Sequence, residues 1–279
     1  MHPTMNHLVQ LQELTLIREE QQVARDGAHL EQLNESIEAM TKQLPDDVRV
    51  MFAKLKKKDQ NAIVVVSESN CSGCGMKLPR SLVQQVRLAK EIQSCPNCAR
   101  FLYTPNDVVR NIRKQPGRFE LRKPGISRFS SESLMIVDLE ASNGEEAIRE
   151  LALTMEKEGF VDKSDLLIEE ALRREAICST TVDHGLAFPH VRWVEGGGLT
   201  LAVGLSKDGF IFNGAKDGVK THIVFFLVIP TAASAFYLKL LAGLTETFME
   251  EPARKALFET KSQAEMWKVL LKVTRKAIK

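Results

Sequence analysis

The sequence predicts a multi-domain protein with an N-terminal long helix, a small zinc-binding module and a C-terminal α/β domain whose mixed sheet is flanked by helices. Residues 5–43 lack proline and carry apolar side chains at helical spacing, and two CxxC pairs follow. Farther along, short apolar strands alternate with amphipathic helices. We therefore expect four segments: 1–60 (helical, coiled-coil), 61–104 (zinc module), 105–132 (basic flexible linker) and 133–279 (α/β domain).

The composition limits the class of protein. The chain has 279 residues and a net charge of +2, which favours no particular partner. Its first ten residues lack the basic and apolar regions of a secretory signal. The most apolar stretch, Ile223 to Phe236, is about 14 residues long and contains Pro230, whereas a membrane span needs roughly 20. We expect a soluble, cytoplasmic protein without a membrane span.

The N-terminal segment is predicted to form one helix over residues 5–43, with a second helix starting at Pro45. Apolar residues step by three and four positions, as in an a/d seam over two heptads. They are Leu30, Leu33, Ile37, Met40 and Leu44. Such a helix needs a surface to pack against, either the helix after Pro45 or another chain. A homodimer through the N-terminal helix is therefore one hypothesis.

Four of the five cysteines predict a metal site. Cys71 and Cys74 form one CxxC pair, Cys95 and Cys98 form another, and 20 residues separate the pairs. Two such pairs can supply the tetrahedral shell of four sulfurs that Zn²⁺ prefers. A redox dithiol is the alternative, but the presence of two pairs disfavours it. Because four thiolates leave no position for water, we expect the zinc to be structural.

Residues 44–103 resemble the bacterial C4-type zinc ribbon family, in which a helical coiled coil precedes the ribbon. The matching stretches are LPDDVRVMFAKLKKK, CSGCGMKLPRSLVQQVR and SCPNCARFLY. The resemblance implies a helical insertion between the CxxC pairs, at about residues 79–89, and a partner that is nucleic acid or protein. The chain departs from the family because only one long helix is predicted before the ribbon.

The predicted linker is basic. Residues 105–130 contain seven Lys or Arg side chains but two acidic ones, together with several prolines and glycines. This composition favours a mobile segment, apart from one helical turn at 106–113. We see no recognition helix rich in Arg and Asn, so a nucleic-acid partner is left open but not favoured.

His190 is the candidate catalytic residue of the C-terminal domain. It follows a proline at the end of a short apolar strand, where a side chain is expected to project into a loop-lined surface. A neutral imidazole can attack phosphorus, and the transferring phosphoryl group needs a positive clamp and hydrogen-bond donors. Arg174 is the expected clamp, and the hydroxyls of Ser179 and Thr180 are the expected phosphate-binding donors.

Residues 133–279 resemble the type-2 EIIA domain of the sugar phosphotransferase system, in its fructose, mannitol and nitrogen-regulatory group. The residues that carry the resemblance are Arg174-Glu175, Ser179-Thr180, Gly185-Leu186-Ala187-Phe188-Pro189-His190, Phe210–Phe212, Asp217-Gly218 and the strand HIVFFLVIP. The resemblance implies that His190 accepts a phosphoryl group from a carrier histidine of HPr and that Arg174 steadies it.

Several positions depart from that family: its two loop glycines appear as Thr181 and Asp183, and Val191-Arg192-Trp193 replaces its common Gly-Lys. Tyr237 stands where many members have a second histidine. A tyrosine can donate a hydrogen bond to a phosphoryl oxygen, so Tyr237 is a third candidate phosphate-binding residue, but it supplies no positive charge. Asp183 stands where the family has a loop glycine, and its negative charge disfavours a bound anion.

Two functions follow from these patterns. In the first, the protein is an EIIA-type phosphoryl carrier with a regulatory role, an HPr-like phosphocarrier protein as donor and a downstream protein target. It is then a component of a phosphotransferase. In the second, it is a zinc-ribbon interaction protein that binds nucleic acid or protein, and its EIIA-like domain senses or docks without turnover. Phosphorylation that depends on His190 distinguishes the two.

Overall fold

The chain forms two compact units, Met1–Asp107 and Val108–Lys279. The structure is a computed structural model, and it describes residues 2–24, 30–104, 125–194, 198–212, 219–230 and 234–278. Helices and the zinc module make up the first unit, and a mixed sheet flanked by helices makes up the second, which confirms the predicted fold class. Within the described ranges, we find no helix with the length and hydropathy needed to cross a membrane.

The N-terminal segment contains two helices instead of the single helix predicted over residues 5–43. Helix α1 spans Pro3–Ala24 and helix α2 spans Leu30–Lys42. They pack against each other, and the ring Nε2 of His7 on α1 bonds the carbonyl oxygen of Met40 on α2 at 2.8 Å. The prediction is wrong because helical periodicity is a local signal, whereas the folding back of α2 onto α1 is driven by tertiary burial of apolar side chains.

Helix α3, Asp46–Lys58, completes the helical part of this unit. Two carboxylates occupy its first turn and three lysines its last turn, the arrangement that the helix dipole favours. The predicted seam packs within the unit, because Leu44 is buried and Ile37 and Met40 pack against the same core. The homodimer inferred from that seam stays a prediction, since these side chains already have an intramolecular surface.

The zinc module is a small sheet with one inserted helix. Its elements are β1 (Ile63–Ser67), β2 (Asn70–Cys71), α4 (Arg80–Leu88), β3 (Gln93–Ser94) and β4 (Phe101–Tyr103). The strand order is β2-β1-β4-β3, in which β1 and β4 are parallel and the other pairs antiparallel. Helix α4 occupies the position of the insertion that the zinc ribbon resemblance implies.

Strand β1 separates two hydrophobic cores. Ile63 and Val65 lie in a cluster with apolar residues of α1 and α3, whereas Val64 and Val66 lie in a second cluster with apolar residues of α4. Successive side chains of a strand point to opposite faces, so a strand that is covered on both faces is apolar throughout. The helical segment and the zinc module, predicted as separate segments, therefore share β1 and form one folded unit.

The C-terminal unit places its helices around the sheet. Its strands are β5 (Met135–Ile136), β6 (Thr181–Val182), β7 (Leu186–Ala187), β8 (His190–Val194), β9 (Thr200–Phe210) and β10 (Thr221–Pro230). Its helices are α5 (Gly144–Lys157), α6 (Ser164–Ile177), α7 (Ser234–Met249), α8 (Glu251–Phe258) and α9 (Gln263–Thr274). Helix α5 begins at the predicted cap, where Asn143 Oδ1 accepts the Glu146 N–H at 2.9 Å.

Strand β10 organises this sheet. The antiparallel strand β9 pairs along one edge of β10, and the strands β7 and β8 both pair in parallel along the other. In this register, His190 at the start of β8 lies opposite Leu227. Strands β7 and β8 therefore run one after the other along the same edge of β10, and the strand pairing is interrupted at Phe188 and Pro189.

The predicted linker, residues 105–132, lies mostly outside the described residues, which exclude 105–124 and with them the expected helical turn. The described part belongs to the C-terminal unit. Residues Gly125–Arg128 form a 3-10 turn, Phe129 is buried, and the N–H of Leu201 on β9 donates to the Phe129 carbonyl oxygen at 2.9 Å. We therefore place the start of the C-terminal domain at or before Gly125, earlier than the predicted boundary.

Gln12 supplies a testable link within the N-terminal unit. Its side chain is 1% exposed, accepts the Ile63 N–H at 2.8 Å and donates to the Ile63 carbonyl oxygen at 3.1 Å. We expect Gln12→Ala to lower the free energy of unfolding of this unit by about 2–4 kcal/mol, because it leaves a buried donor and a buried acceptor unpaired. Hydrogen exchange of the Ile63 amide measures the effect.

The matched control is Gln10→Ala, because Gln10 is exposed on the same helix. This substitution should change stability by less than about 0.5 kcal/mol. Equal exchange rates at Ile63 in the Gln12 variant, the Gln10 variant and the wild type would show that the Gln12 bonds do not hold β1 to α1.

Candidate functional site

Four cysteine sulfurs converge in the N-terminal unit. The Sγ atoms of Cys71, Cys74, Cys95 and Cys98 lie within 4.8 Å of one another. The Sγ–Sγ distances from Cys71 to Cys98 and from Cys74 to Cys95 are both 3.7 Å. Zinc–sulfur bonds of about 2.3 Å in a tetrahedron place the sulfurs about 3.8 Å apart, so the donor set and its spacing fit Zn²⁺.

The protonation of these thiols depends on their surroundings. A hydrogen bond from the side chain of Asn97 lowers the pKa of Cys74 to about 6, so this thiol ionises readily. Burial raises the pKa of Cys71 and of Cys95, because the protein interior disfavours an isolated thiolate. A metal cation reverses that preference, since cysteine binds metal as the thiolate.

Arg100, two residues after the second CxxC pair, joins the cluster to its surroundings. Its guanidinium donates to the Gly73 carbonyl oxygen at 3.3 Å, to the Asn61 carbonyl oxygen at 2.9 Å and to Asp59 Oδ2 at 2.6 Å. Gly73 lies between the first two cysteines, and Asp59 follows the last residue of α3. One side chain therefore connects both cysteine pairs to the helical part of the unit.

His190 lies in the C-terminal unit at the start of β8 and is 1% exposed. The expectation that it projects from a strand end into a loop-lined surface is wrong, because the chain resumes pairing with β10 directly after Pro189. Pro189 has no N–H to donate, but its carbonyl oxygen accepts the Leu227 N–H at 3.0 Å. The interruption is therefore confined to Phe188 and Pro189.

Two hydrogen bonds fix the two nitrogens of the His190 imidazole. Nδ1 lies 3.0 Å from the Phe188 carbonyl oxygen, and a carbonyl oxygen accepts only, so Nδ1 carries the proton. Nε2 is then the nitrogen with a free electron pair, and it accepts a bond from Arg174 Nε at 3.3 Å. This tautomer makes Nε2 the nucleophilic atom, and the nearest described cation lies beside it.

Arg174 is held in place from α6. It lies one turn before the end of the helix, is 6% exposed, and donates from a terminal guanidinium nitrogen to the Cys178 carbonyl oxygen at 2.8 Å. A cation near a helix C-terminus is favoured by the helix dipole. The structure thus brings the two predicted catalytic residues, His190 and Arg174, into direct contact.

Ser179 and Thr180 make a contact that the sequence analysis did not identify. Both hydroxyls donate to the carboxylate of Glu175, at 2.9 Å and 2.7 Å, and the Thr180 N–H donates to the same carboxylate at 2.7 Å. In this arrangement the two hydroxyl protons are already directed at Glu175. Their predicted role as phosphate donors stays a prediction, and the geometry shows them positioning the segment that follows α6.

Tyr237, near the start of α7, contacts the Nδ1 side of the His190 imidazole. Its hydroxyl oxygen lies 3.2 Å from His190 Nδ1, and its side chain is fully buried. Because the Nδ1 proton is directed at the Phe188 carbonyl oxygen, the tyrosine oxygen can only share that proton as an acceptor. The structure thus places the Tyr237 hydroxyl beside Nδ1, and its role as a phosphate-binding residue stays a prediction.

Gly185 explains part of the motif before His190. Its φ is +72°, and a Cβ atom there would lie 2.8 Å from the Lys220 carbonyl oxygen. Glycine adopts this conformation readily, and here it also permits the close approach of β10. The Asp217-Gly218 match falls outside the described residues.

Sequence reasoning missed two features of the site. Glu175 was recognised as part of the motif but received no role, and its adjacency to Arg174 was the available signal. The Phe188 carbonyl oxygen is a main-chain group and leaves no mark in the sequence. The basic residue Arg192 was recognised from the sequence, and because it lies two residues after His190 it is on the same face of β8.

Comparison with known proteins agrees with both regions. Residues 128–273 match the family described as phosphoenolpyruvate-dependent sugar phosphotransferase system, EIIA 2, and residues 70–102 match the C4-type zinc ribbon domain. The fructose-specific EIIABC component of the phosphotransferase system of Bacillus subtilis is 28% identical over 138 residues, which cover 50% of this chain and 22% of that protein. This chain therefore spans about a fifth of that relative.

A second relative and a solved structure match the same region. The nitrogen regulatory protein homolog of Haemophilus influenzae is 28% identical over 121 residues, which cover 43% of this chain and 74% of that protein. The structure of the nitrogen regulatory protein IIA-Ntr from Neisseria meningitidis is similar over 52% of this chain and 98% of that chain, with 25% identity and a TM-score of 0.47. Because the EIIA 2 match covers more than half of the sequence, the chain belongs to the EIIA 2 family of the phosphoenolpyruvate-dependent sugar phosphotransferase system.

Proposed function

We propose that the C-terminal domain is a regulatory phosphoryl carrier that accepts a phosphoryl group from an HPr-like phosphocarrier protein on Nε2 of His190. The observation that carries the proposal is the contact between Nε2 and Arg174 Nε at 3.3 Å, with Nδ1 held by the Phe188 carbonyl oxygen. A nucleophile of defined tautomer next to a cation is what transfer of an anionic phosphoryl group requires.

The transfer needs no acid or base from the protein. The Nε2 electron pair of neutral His190 forms a bond to phosphorus, the N–P bond of the donor phosphohistidine breaks, and its electron pair returns to the donor imidazole. The proton stays on Nδ1 throughout and remains hydrogen-bonded to the Phe188 carbonyl oxygen, so the phosphorylated ring is an imidazolium held by the same bond. Arg174 offsets the negative charge that arrives at Nε2.

His190 must become accessible for this reaction. The side chain is 1% exposed, and Arg174 lies against the atom that would be phosphorylated. Arg174 must therefore shift from Nε2 to the phosphoryl oxygens when the donor binds. A guanidinium presents five N–H donors in a planar fork, so it can bond phosphoryl oxygens while its bond to the Cys178 carbonyl oxygen is kept.

The regulatory part of the proposal rests on the fusion itself. The phosphoryl site lies in one compact unit, and a zinc module with a helical hairpin forms the other. A relative of similar sequence is named a nitrogen regulatory protein homolog. The phosphorylated form would then be the state that a downstream protein target recognises, and the protein is expected to act in the cytoplasm.

We expect one phosphoryl group on the wild-type protein after incubation with phosphoenolpyruvate, enzyme I and HPr. His190→Ala should gain none, because the reaction requires an imidazole nitrogen at this position. His190→Gln should also gain none and keeps more of the side-chain volume. Intact mass measured by electrospray under neutral conditions checks the result.

His184→Asn is the matched control. His184 is an exposed histidine in the same segment, with a φ of +66° that asparagine tolerates. It should be phosphorylated like the wild type. A phosphoryl group on the His190 variants, or its loss from the His184 variant, would show that His190 is not the acceptor.

Arg174→Ala should slow phosphorylation of His190 by about 10²–10³-fold, the typical effect of removing one donor that stabilises developing charge. Arg173→Ala is the control, because Arg173 lies on the same helix with a side chain that is 54% exposed. Rapid-quench kinetics with phosphorylated HPr as donor measure both. Wild-type rates in the Arg174 variant would remove this residue from the site.

We also propose that the four cysteines hold a structural zinc ion. Cys71→Ser should release the metal and unfold the N-terminal unit, because Cys71 is fully buried and β1 next to it belongs to both cores of that unit. The unfolding transition of the C-terminal unit should remain. Elemental analysis and thermal unfolding followed by circular dichroism measure the two effects.

Cys178→Ser is the control for this experiment, since Cys178 is buried in the other unit. It should retain the zinc. Full zinc content in the Cys71 variant, or simultaneous loss of both unfolding transitions, would contradict a structural zinc site confined to the N-terminal unit.

One observation favours the second candidate function, in which the domain docks or senses without turnover. His190 is buried and its nucleophilic nitrogen is engaged by Arg174. If the folded protein gains no phosphoryl group from its donors, the zinc module and helical hairpin become the functional surface, with a protein or nucleic acid as partner.

A further inference from the structure

Arg192 lies on the same face of β8 as His190. The strand pairs with β10 in register from His190 to Arg192, so side chains two residues apart point in the same direction. Val191 between them is 4% exposed and faces the opposite side. The Arg192 side chain therefore lies on the same face of β8 as the His190 imidazole.

The ring of Tyr237 contacts both the Arg192 guanidinium and the His190 imidazole. The Arg192 guanidinium carbon lies 4.8 Å from the centroid of this ring, the distance of a cation–π contact. On the same tyrosine, the centroid lies 5.2 Å from that of the His190 ring, and the hydroxyl oxygen lies 3.2 Å from Nδ1. Tyr237 is fully buried, so this ring provides a fixed surface for the guanidinium.

A phosphoryl group on Nε2 carries about two negative charges on its oxygens, while the imidazolium keeps its proton on Nδ1, at the other side of the ring. An isolated buried anion is strongly disfavoured, and one guanidinium balances only part of the charge. Opposite charges interact over several ångströms in a protein. A second guanidinium can therefore stabilise the phosphorylated form without direct contact with a phosphoryl oxygen.

We propose that Arg192, held on the ring of Tyr237, is the second cationic group of the phosphoryl site and works together with Arg174. Tyr237 is then a positioning residue, whose aromatic face matters more than its hydroxyl group. The inference rests on the proposed function insofar as the anion is a phosphoryl group on His190. It goes beyond that function by assigning a role to two residues that the transfer chemistry itself does not require.

The test uses two phosphoryl donors. Phosphorylated HPr requires recognition of a protein, whereas potassium phosphoramidate is a small anion that can phosphorylate histidine without a protein partner. We expect Arg192→Gln to slow phosphorylation of His190 by phosphoramidate roughly tenfold, the effect of one charge at this range. The rate in the variant should also depend less on KCl concentration than the wild-type rate, because one attractive charge is gone.

Substitutions of Tyr237 separate its face from its hydroxyl group. Tyr237→Phe keeps the aromatic face and should stay within about threefold of the wild-type rate. Tyr237→Leu removes the face, and should be as slow as Arg192→Gln. The double variant Arg192→Gln/Tyr237→Leu should be no slower than either single variant, because both changes remove the same interaction.

Arg173→Gln is the control for net charge, because it removes one exposed cation of the same unit outside the site. Its rate and salt dependence should match the wild type. A purely structural role for Arg192 would leave the salt dependence unchanged, and wild-type rates in Arg192→Gln would overturn the inference.

The two donors distinguish failure of the inference from failure of the proposed function. Phosphorylation by phosphoramidate but not by HPr would overturn the HPr-dependent function. The role of Arg192 would then be decided by the phosphoramidate rate of Arg192→Gln alone. Absence of phosphorylation from both donors, in a folded wild-type protein, would overturn both.

Discussion

The hydrogen bond between His190 Nδ1 and the Phe188 carbonyl oxygen fixes the tautomer of the buried imidazole in the C-terminal domain. A residue within a regular strand cannot bond its own chain two residues back, so this bond depends on the interruption of pairing at Phe188 and Pro189. Because the proton is held on Nδ1, the electron pair lies on Nε2, next to Arg174. The interruption of the strand therefore fixes the tautomer, and the tautomer leaves the electron pair on the nitrogen that faces Arg174.

Helix α6 contributes two neighbouring residues of opposite charge to this part of the structure. Side chains that are adjacent in a helix point about 100° apart, so Arg174 and Glu175 reach different groups. Arg174 contacts the imidazole, and Glu175 ties down Ser179 and Thr180 just beyond the helix end. The segment leading to β7 is thereby fixed by a carboxylate, while the neighbouring guanidinium is directed at the imidazole.

The sequence revealed those features that depend on local spacing. The CxxC pairs predicted the cysteine cluster, and the Gly185 to His190 string predicted the family, because both patterns are set by backbone geometry over a few residues. The reversal between α1 and α2 escaped prediction because both helices are periodic and only tertiary contact separates them. The partners of Ser179, Thr180 and Tyr237 escaped it for a related reason: a polar residue type allows several bonds, and the fold selects among them.

The N-terminal unit shows how the zinc module depends on the helices that precede it. Its central strand β1 has an apolar face on each side, one covered by α1 and α3 and the other by the ribbon core next to Cys71. Gln12 occupies the edge of this strand, and Arg100 bonds the chain on both sides of it, at Asn61 and Gly73. The helical hairpin and the cysteine cluster therefore lie on opposite faces of one strand, with Ile63 and Val65 on the side of the helices and Val64 and Val66 on the side of the cysteines. Side chains that alternate along this single strand thus join the two hydrophobic cores of the unit.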